Sequence, residues 1–168
     1  MGGTPKYGCK PNESCTNKPL PPEVRPIKIP YVLYFALPKG RKKTSNWGEG
    51  GVAFITPEKV EDKNLWTLGR MWKITKDQHE EIKKQEGQCW YNYEICIGED
   101  NGILIYTITN KEKLNNDILP NNRYLKTVAL GLKETYNMDN DEINKYLTER
   151  MLLKENCKRK QRQILPEN

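Results

Sequence analysis

The chain has 168 residues and a formal net charge of +6, with 36% hydrophobic and 30% charged residues. That length suits one domain with its own core and is short for two, and four Trp with nine Tyr supply the bulk a core needs. The composition excludes a disordered chain, and the basic residues are spread along it and offset by 22 acids, so no nucleic-acid motif accompanies the charge and nucleic acid ranks last among partners.

Five cysteines (Cys9, Cys15, Cys89, Cys96 and Cys157) form no CxxC pair, and the single histidine, His79, falls in a polar helical stretch. Neither a structural zinc site nor a disulfide framework is expected. Cys89 lies near Glu86 but has no histidine close in sequence, so it reads as a core thiol rather than a nucleophile. Without an apolar run of signal or membrane-span length, the reading is a reduced, cytoplasmic protein with no membrane partner. The oligomeric state is left open.

In chain order, residues 1–30 hold five prolines between Pro19 and Pro30 and are read as an extended segment wrapped on the domain. Tyr31 to Leu37 is an apolar, aromatic run that suits a buried strand, ended by Pro38-Lys39-Gly40. Gly50-Gly51 marks a turn into a second strand, Val52 to Thr56, with Trp47 packed beside it. Leu65 to Ile74 forms a third. Thr75 and Gln78 form a capping box that starts a helix through Lys84, which places Glu86 just past the helix end.

Trp90 to Ile97 and Ile103 to Thr109 flank a turn containing Asn101-Gly102, the signature of an antiparallel hairpin. After Pro120, Tyr124, Val128 and Leu132 fall in one row with Leu125 and Ala129 beside it, an apolar stripe at helical spacing. A last helix, capped by Asp139 or Asn140, carries Ile143, Tyr146, Leu147, Arg150 and Met151. The basic stretch at 157–168 reads as a solvated tail. Strands first and helices late predict an α+β fold over 31–156, a small mixed curled sheet or barrel flanked by helices.

The succession Trp47-x-x-Gly50-Gly51-Val52-Ala53, Gly69-x-Met71-Trp72-Lys73-Ile74, Gln85-Glu86-Gly87, Tyr106-x-x-Thr109 and Pro120-x-x-x-Tyr124 resembles the gamma-glutamylcyclotransferase family over residues 31–150. The resemblance implies a cofactor-free and metal-free enzyme. In that family the α-amino group of a γ-glutamyl substrate attacks its own side-chain amide, closing 5-oxoproline and expelling an amine or amino acid. One carboxylate must take a proton from the attacking nitrogen and return one to the leaving nitrogen. Glu86 falls on the family's catalytic glutamate, and Tyr106 and Tyr124 fall on pocket positions, with Tyr91 or Tyr93 in a third place.

The family's carboxylate-binding loop, Tyr-Gly-Ser-Asn, matches Tyr7-Gly8-Cys9-Lys10, which keeps the first two residues and replaces the others. Lys6 or Lys10 could add charge where the Asn is lost. The alternative register, with Leu37-Pro38-Lys39-Gly40 as the loop, leaves too few residues before Trp47 and is set aside. The altered loop keeps a second function open, a non-catalytic member of the same fold that binds an acidic small molecule or a protein partner. Only an enzyme would release 5-oxoproline.

Overall fold

In a computed structural model of the chain, the described residues are 23–37, 44–45, 47–86, 90–114 and 118–164, with side chains described through 152. Among them the order is β1 (Val24–Ile29), β2 (Leu33–Ala36), β3 (Thr44–Ser45), β4 (Gly48–Glu49), β5 (Val52–Ile55), a 3₁₀ turn (Lys63–Leu65), β6 (Thr67–Trp72), α1 (Lys76–Glu86), β7 (Tyr93–Asp100), β8 (Ile103–Thr109), α2 (Asn122–Tyr136) and α3 (Asn140–Ile164). The fold is α+β, as expected. The strands pair two by two and antiparallel, β1 with β6, β2 with β5, β3 with β4 and β7 with β8, and the described sheets do not close into a barrel.

β2 is buried along its whole length, which accounts for its unbroken apolar sequence. Leu33 and Phe35 face Leu132 of α2 and Ile143, Tyr146 and Leu147 of α3. Tyr34 and Ala36 join Val52 and Phe54 on the opposite face, against Trp47, Trp90, Tyr91 and Tyr124. The predicted stripe of α2 and the predicted residues of α3 are the ones that cover the first face. α3 runs on to Ile164, so the stretch read as a solvated tail begins as helix.

Residues 24–29, read as extended and unpaired, form β1, with Pro26 opposite Arg70 of β6. Proline lacks the N–H that an interior strand must donate, and it is tolerated here because β1 pairs on one side only among the described residues. Arg25, Ile27 and Ile29 turn inward while Val24, Pro26 and Lys28 stay exposed, a period of two partly hidden by the prolines.

With only two strands per sheet, free edges need other partners, and side-chain hydroxyls supply them. On the side of β5 away from β2, the Ile55 N–H donates to Thr109 Oγ1 at 3.3 Å and Thr109 Oγ1 donates back to the Ile55 carbonyl at 2.6 Å. On β6, Tyr146 accepts from the Leu68 N–H at 3.0 Å, while Tyr136 bridges the paired strands β1 and β6, accepting from the Gly69 N–H at 3.0 Å with its hydroxyl 2.6 Å from the Ile27 carbonyl oxygen. An unpaired buried N–H or C=O is costly, so the Thr109 and Tyr146 hydroxyls satisfy strand groups that no described strand reaches.

The capping box at the start of α1 is reciprocal: Gln78 N–H donates to Thr75 Oγ1 at 3.2 Å and Thr75 N–H to Gln78 Oε1 at 3.0 Å. Asp139 and Glu142 form a second one at the start of α3. The hairpin turns on Asn101 and Gly102, with φ of 50° and 78°, the two positive values a type I′ turn requires. β7 extends to Asp100, and a bulge between Cys96 and Gly98 accommodates the extra residue.

Candidate functional site

α1 runs two residues further than its sequence predicts, so Glu86 is the last helical residue rather than one beyond it. A carboxylate there meets the negative end of the helix dipole, an unfavourable place for a charge. Glu86 keeps an exposed surface, yet burial against the surrounding protein pushes its pKa above the ordinary carboxylate value. No cation within the described residues pairs with Glu86.

The groups that share its surroundings are two tyrosine hydroxyls. Tyr91 lies between α1 and β7, and its hydroxyl donates to the Ala53 carbonyl at 2.8 Å. Tyr124, one turn into α2, accepts from the Ala53 N–H at 3.1 Å. One residue of β5 therefore holds both phenols, one at each of its backbone polar groups. Burial raises the pKa of both, most strongly for Tyr91, and the negative charge of Glu86 adds to the effect on each. Both phenols are neutral at physiological pH. Because Tyr124 accepts from Ala53, its own proton remains to be donated elsewhere.

Aromatic packing fixes these rings. Tyr91 stacks on Phe54 with centroids 4.8 Å apart, and Phe54 in turn stacks on Tyr34 at 5.8 Å. Tyr124 lies 5.3 Å from Trp47 and meets Phe35 edge to face at 6.5 Å. Tyr34 accepts from the Leu114 N–H at 3.3 Å, which ties the segment after the hairpin to the same face.

The glycine pair is both a turn and a close approach. Gly50 has φ of 108°, and a Cβ on Gly51 would meet the Ile118 carbonyl oxygen at 2.1 Å and the Ala36 nitrogen at 3.0 Å. Gly51 N–H donates to the Leu119 carbonyl at 3.1 Å, and Asn121 donates through Nδ2 to the Trp47 and Glu49 carbonyls at 2.8 and 2.6 Å while Oδ1 caps α2 at Tyr124 N–H. Asn121 thus seats Tyr124 against the glycine turn, a role its sequence signals only as a helix cap.

Of the predicted site residues, Tyr91 and Tyr124 meet at Ala53, and Glu86 lies near enough for its charge to act on both. Tyr106 has its ring contact elsewhere: it stacks on His79 of α1 at 5.4 Å, with its side chain largely exposed on the hairpin. His79, read as a surface residue, is partly buried by that stack and lies 3.2 Å from Glu94. Tyr93 is exposed at the start of β7 and pairs in register with Thr109. Tyr7, Gly8, Cys9 and Lys10 lie outside the described residues, as does Cys89.

Among the described residues no group of three or more His, Cys, Asp or Glu side chains is placed to hold a metal, and no helix is long and apolar enough to cross a membrane. Compared with protein-family models, with curated proteins and with solved structures, the chain finds no match.

Proposed function

We propose that the chain is a cyclotransferase of the γ-glutamyl type, built on the fold that its sequence resembles, with Glu86 as the proton-transfer group. The observation that supports this reading is a partly exposed carboxylate whose pKa burial raises, with no cation partner among the described residues, acting on two neutral phenols fixed on Ala53. A base that must later act as an acid works best with its pKa moved toward the working pH, which is the direction found for Glu86.

In this mechanism the free α-amine of the substrate attacks its γ-amide carbonyl carbon, and the Glu86 carboxylate takes the proton that the nitrogen sheds as the new C–N bond forms. The carbonyl oxygen becomes an oxyanion, and the Tyr124 hydroxyl, with its own proton available, is the donor that meets it. Collapse breaks the bond to the departing nitrogen, and Glu86 returns its proton there. One substrate gives 5-oxoproline and a free amine, with no water consumed and Glu86 restored.

The test is to incubate wild type and Glu86→Gln with γ-glutamyl dipeptides and γ-glutamyl amines and to quantify 5-oxoproline by mass spectrometry. The substitution is nearly isosteric and should lower turnover by about 10²- to 10⁴-fold, the worth of general acid/base catalysis. Undiminished product from Glu86→Gln would remove Glu86 from the mechanism. The altered Tyr7-Gly8-Cys9-Lys10 segment favours a second reading, in which the fold holds a γ-glutamyl ligand without turning it over. Saturable binding of a γ-glutamyl amine with no 5-oxoproline from wild type would select it.

A further inference from the structure

The described part of the domain holds a cavity of about 250 Å³ between β5, β6, β8 and the two long helices. Its walls are apolar, with Ile55 and Leu68 on the side of the strands and Val128 and Leu132 on the side of α2, and no charged side chain lines it. The cavity is partly open, and Leu68, Thr107 and Val128 in its wall are themselves partly exposed, so a ligand enters from solvent without crossing β5. Glu86, Tyr91 and Tyr124 are not among the lining residues, which makes this a place apart from the candidate site.

Two hydroxyls interrupt the apolar lining, and each keeps hydrogen-bonding capacity. Tyr146 of α3, only 8% exposed, accepts from the Leu68 N–H, so its own proton is left without an acceptor among the described residues. Thr107 lies opposite Ile95 in the β7–β8 ladder and shares its face, and Ile95 packs with Ile29 and Ile55, which also line the cavity. The Thr107 hydroxyl has no hydrogen-bond partner among the described residues. A third hydroxyl, that of Thr67, is spent on the Tyr31 carbonyl at 2.6 Å. Apolar walls with a small number of unspent polar groups are the usual make-up of a small-molecule site.

We infer that this cavity is a second binding site, separate from the one at Glu86, for a small uncharged aromatic ligand that carries one oxygen, a phenol being the simplest case. The inference does not rest on the role of Glu86. An apolar cavity of roughly 150 Å³ accepts benzene, so the larger space here admits a substituted ring, while drug-sized ligands need pockets from about 300 Å³. The ring removes its own surface and that of Val128 and Leu132 from water. A charged ligand would lose its hydration on entry and find no opposite charge in the lining. The ligand's oxygen meets the Tyr146 proton or the Thr107 hydroxyl, which a purely hydrocarbon ligand leaves unsatisfied.

The test is to titrate the full chain with phenol and, separately, with toluene, which has nearly the same shape without the oxygen, and to follow the methyl groups by NMR. Phenol is expected to bind saturably at millimolar concentration, with NOEs from its ring protons to the methyls of Val128 and Leu132. It should bind about three- to tenfold more tightly than toluene, the worth of one hydrogen bond. That margin should vanish in Thr107→Val, which exchanges the hydroxyl for a methyl, or in Tyr146→Phe, which keeps the ring. The NOEs need wild type alone, so the location is tested even where a variant fails to fold. Phenol that does not bind saturably, NOEs only to methyls outside the lining, toluene bound as tightly as phenol, or a margin that survives in both variants overturns the inference.

Discussion

Tyr91→Phe deletes one oxygen and leaves the stacked ring, so whatever it costs is the cost of one hydrogen bond. That hydroxyl donates to the Ala53 carbonyl at 2.8 Å, on the edge of β5 that no described strand covers. Removal leaves a carbonyl without its donor in a place where burial holds the Tyr91 hydroxyl well above its ordinary pKa, a sign that little water reaches it. Leaving a buried polar group unsatisfied costs about 1–3 kcal/mol. The cavity left by one oxygen adds little, because Phe keeps the contact with Phe54. For a chain of this length each kcal/mol moves the melting temperature by about 2–4 °C, so a fall of roughly 2–12 °C is expected. Urea unfolding at neutral pH reads the same loss as a lower midpoint with unchanged slope, provided unfolding is two-state. Tyr93→Phe is the control, since Tyr93 is exposed, and should change stability by less than about 0.5 kcal/mol. If Tyr91→Phe proves no more costly than Tyr93→Phe, hydroxyl capping of β5 is not what stabilises that edge.

Three further outcomes follow from the geometry. The pKa of Glu86 is raised in the folded chain, so the folded state binds its proton more tightly than the unfolded state does; that favours folding below the unfolded value, near 4.3, and the advantage is lost as pH rises through the folded value. Glu86→Gln should therefore raise the urea midpoint relative to wild type at pH 7.5, and the gain should shrink toward zero by about pH 3; a wild type more stable than the variant at pH 7.5 would contradict the burial described for Glu86. Gly51→Ala drives a methyl into the Ile118 carbonyl, which is backbone and cannot swing aside, and should cost about 3 kcal/mol or yield insoluble protein; a variant with an unchanged melting temperature would refute the close approach. Gly102→Ala places a side chain at φ 78° in open space, so only conformational strain of about 1–2 kcal/mol is expected from thermal melts.

Where the sequence carried its own local chemistry, the elements were legible. Thr75 and Gln78 announce α1 because both halves of the capping box lie within one turn, and Asn101-Gly102 announces the hairpin because few other pairs accept two positive φ values. β1 was hidden because Pro26 reads as a break unless an unpaired edge is known to exist. Glu86 stands out in the sequence only through the blocks that flank it, and the action of its charge on Tyr91 and Tyr124 is a matter of tertiary structure. The hydroxyl caps were not legible: Tyr136 and Tyr146 sit on helical stripes that announce only burial, and the N–H groups they meet belong to Gly69 and Leu68, far back in the chain. A curled sheet or barrel is what strands followed by helices and the family resemblance suggest, whereas the described strands pair only two by two and take further hydrogen bonds from side chains.

Those caps also set an order of events during synthesis. β5 and β6 leave the ribosome well before Tyr91, Thr109, Tyr124, Tyr136 and Tyr146, the residues that will close them, and translation adds only about 5–20 residues each second. For several seconds the nascent chain holds apolar strands whose edges could template pairing with another chain. The helices complete a hydrogen-bonding pattern that the strands cannot finish themselves, so a transcript stopped before α2 would yield a fragment prone to associate through β5 rather than a smaller stable domain.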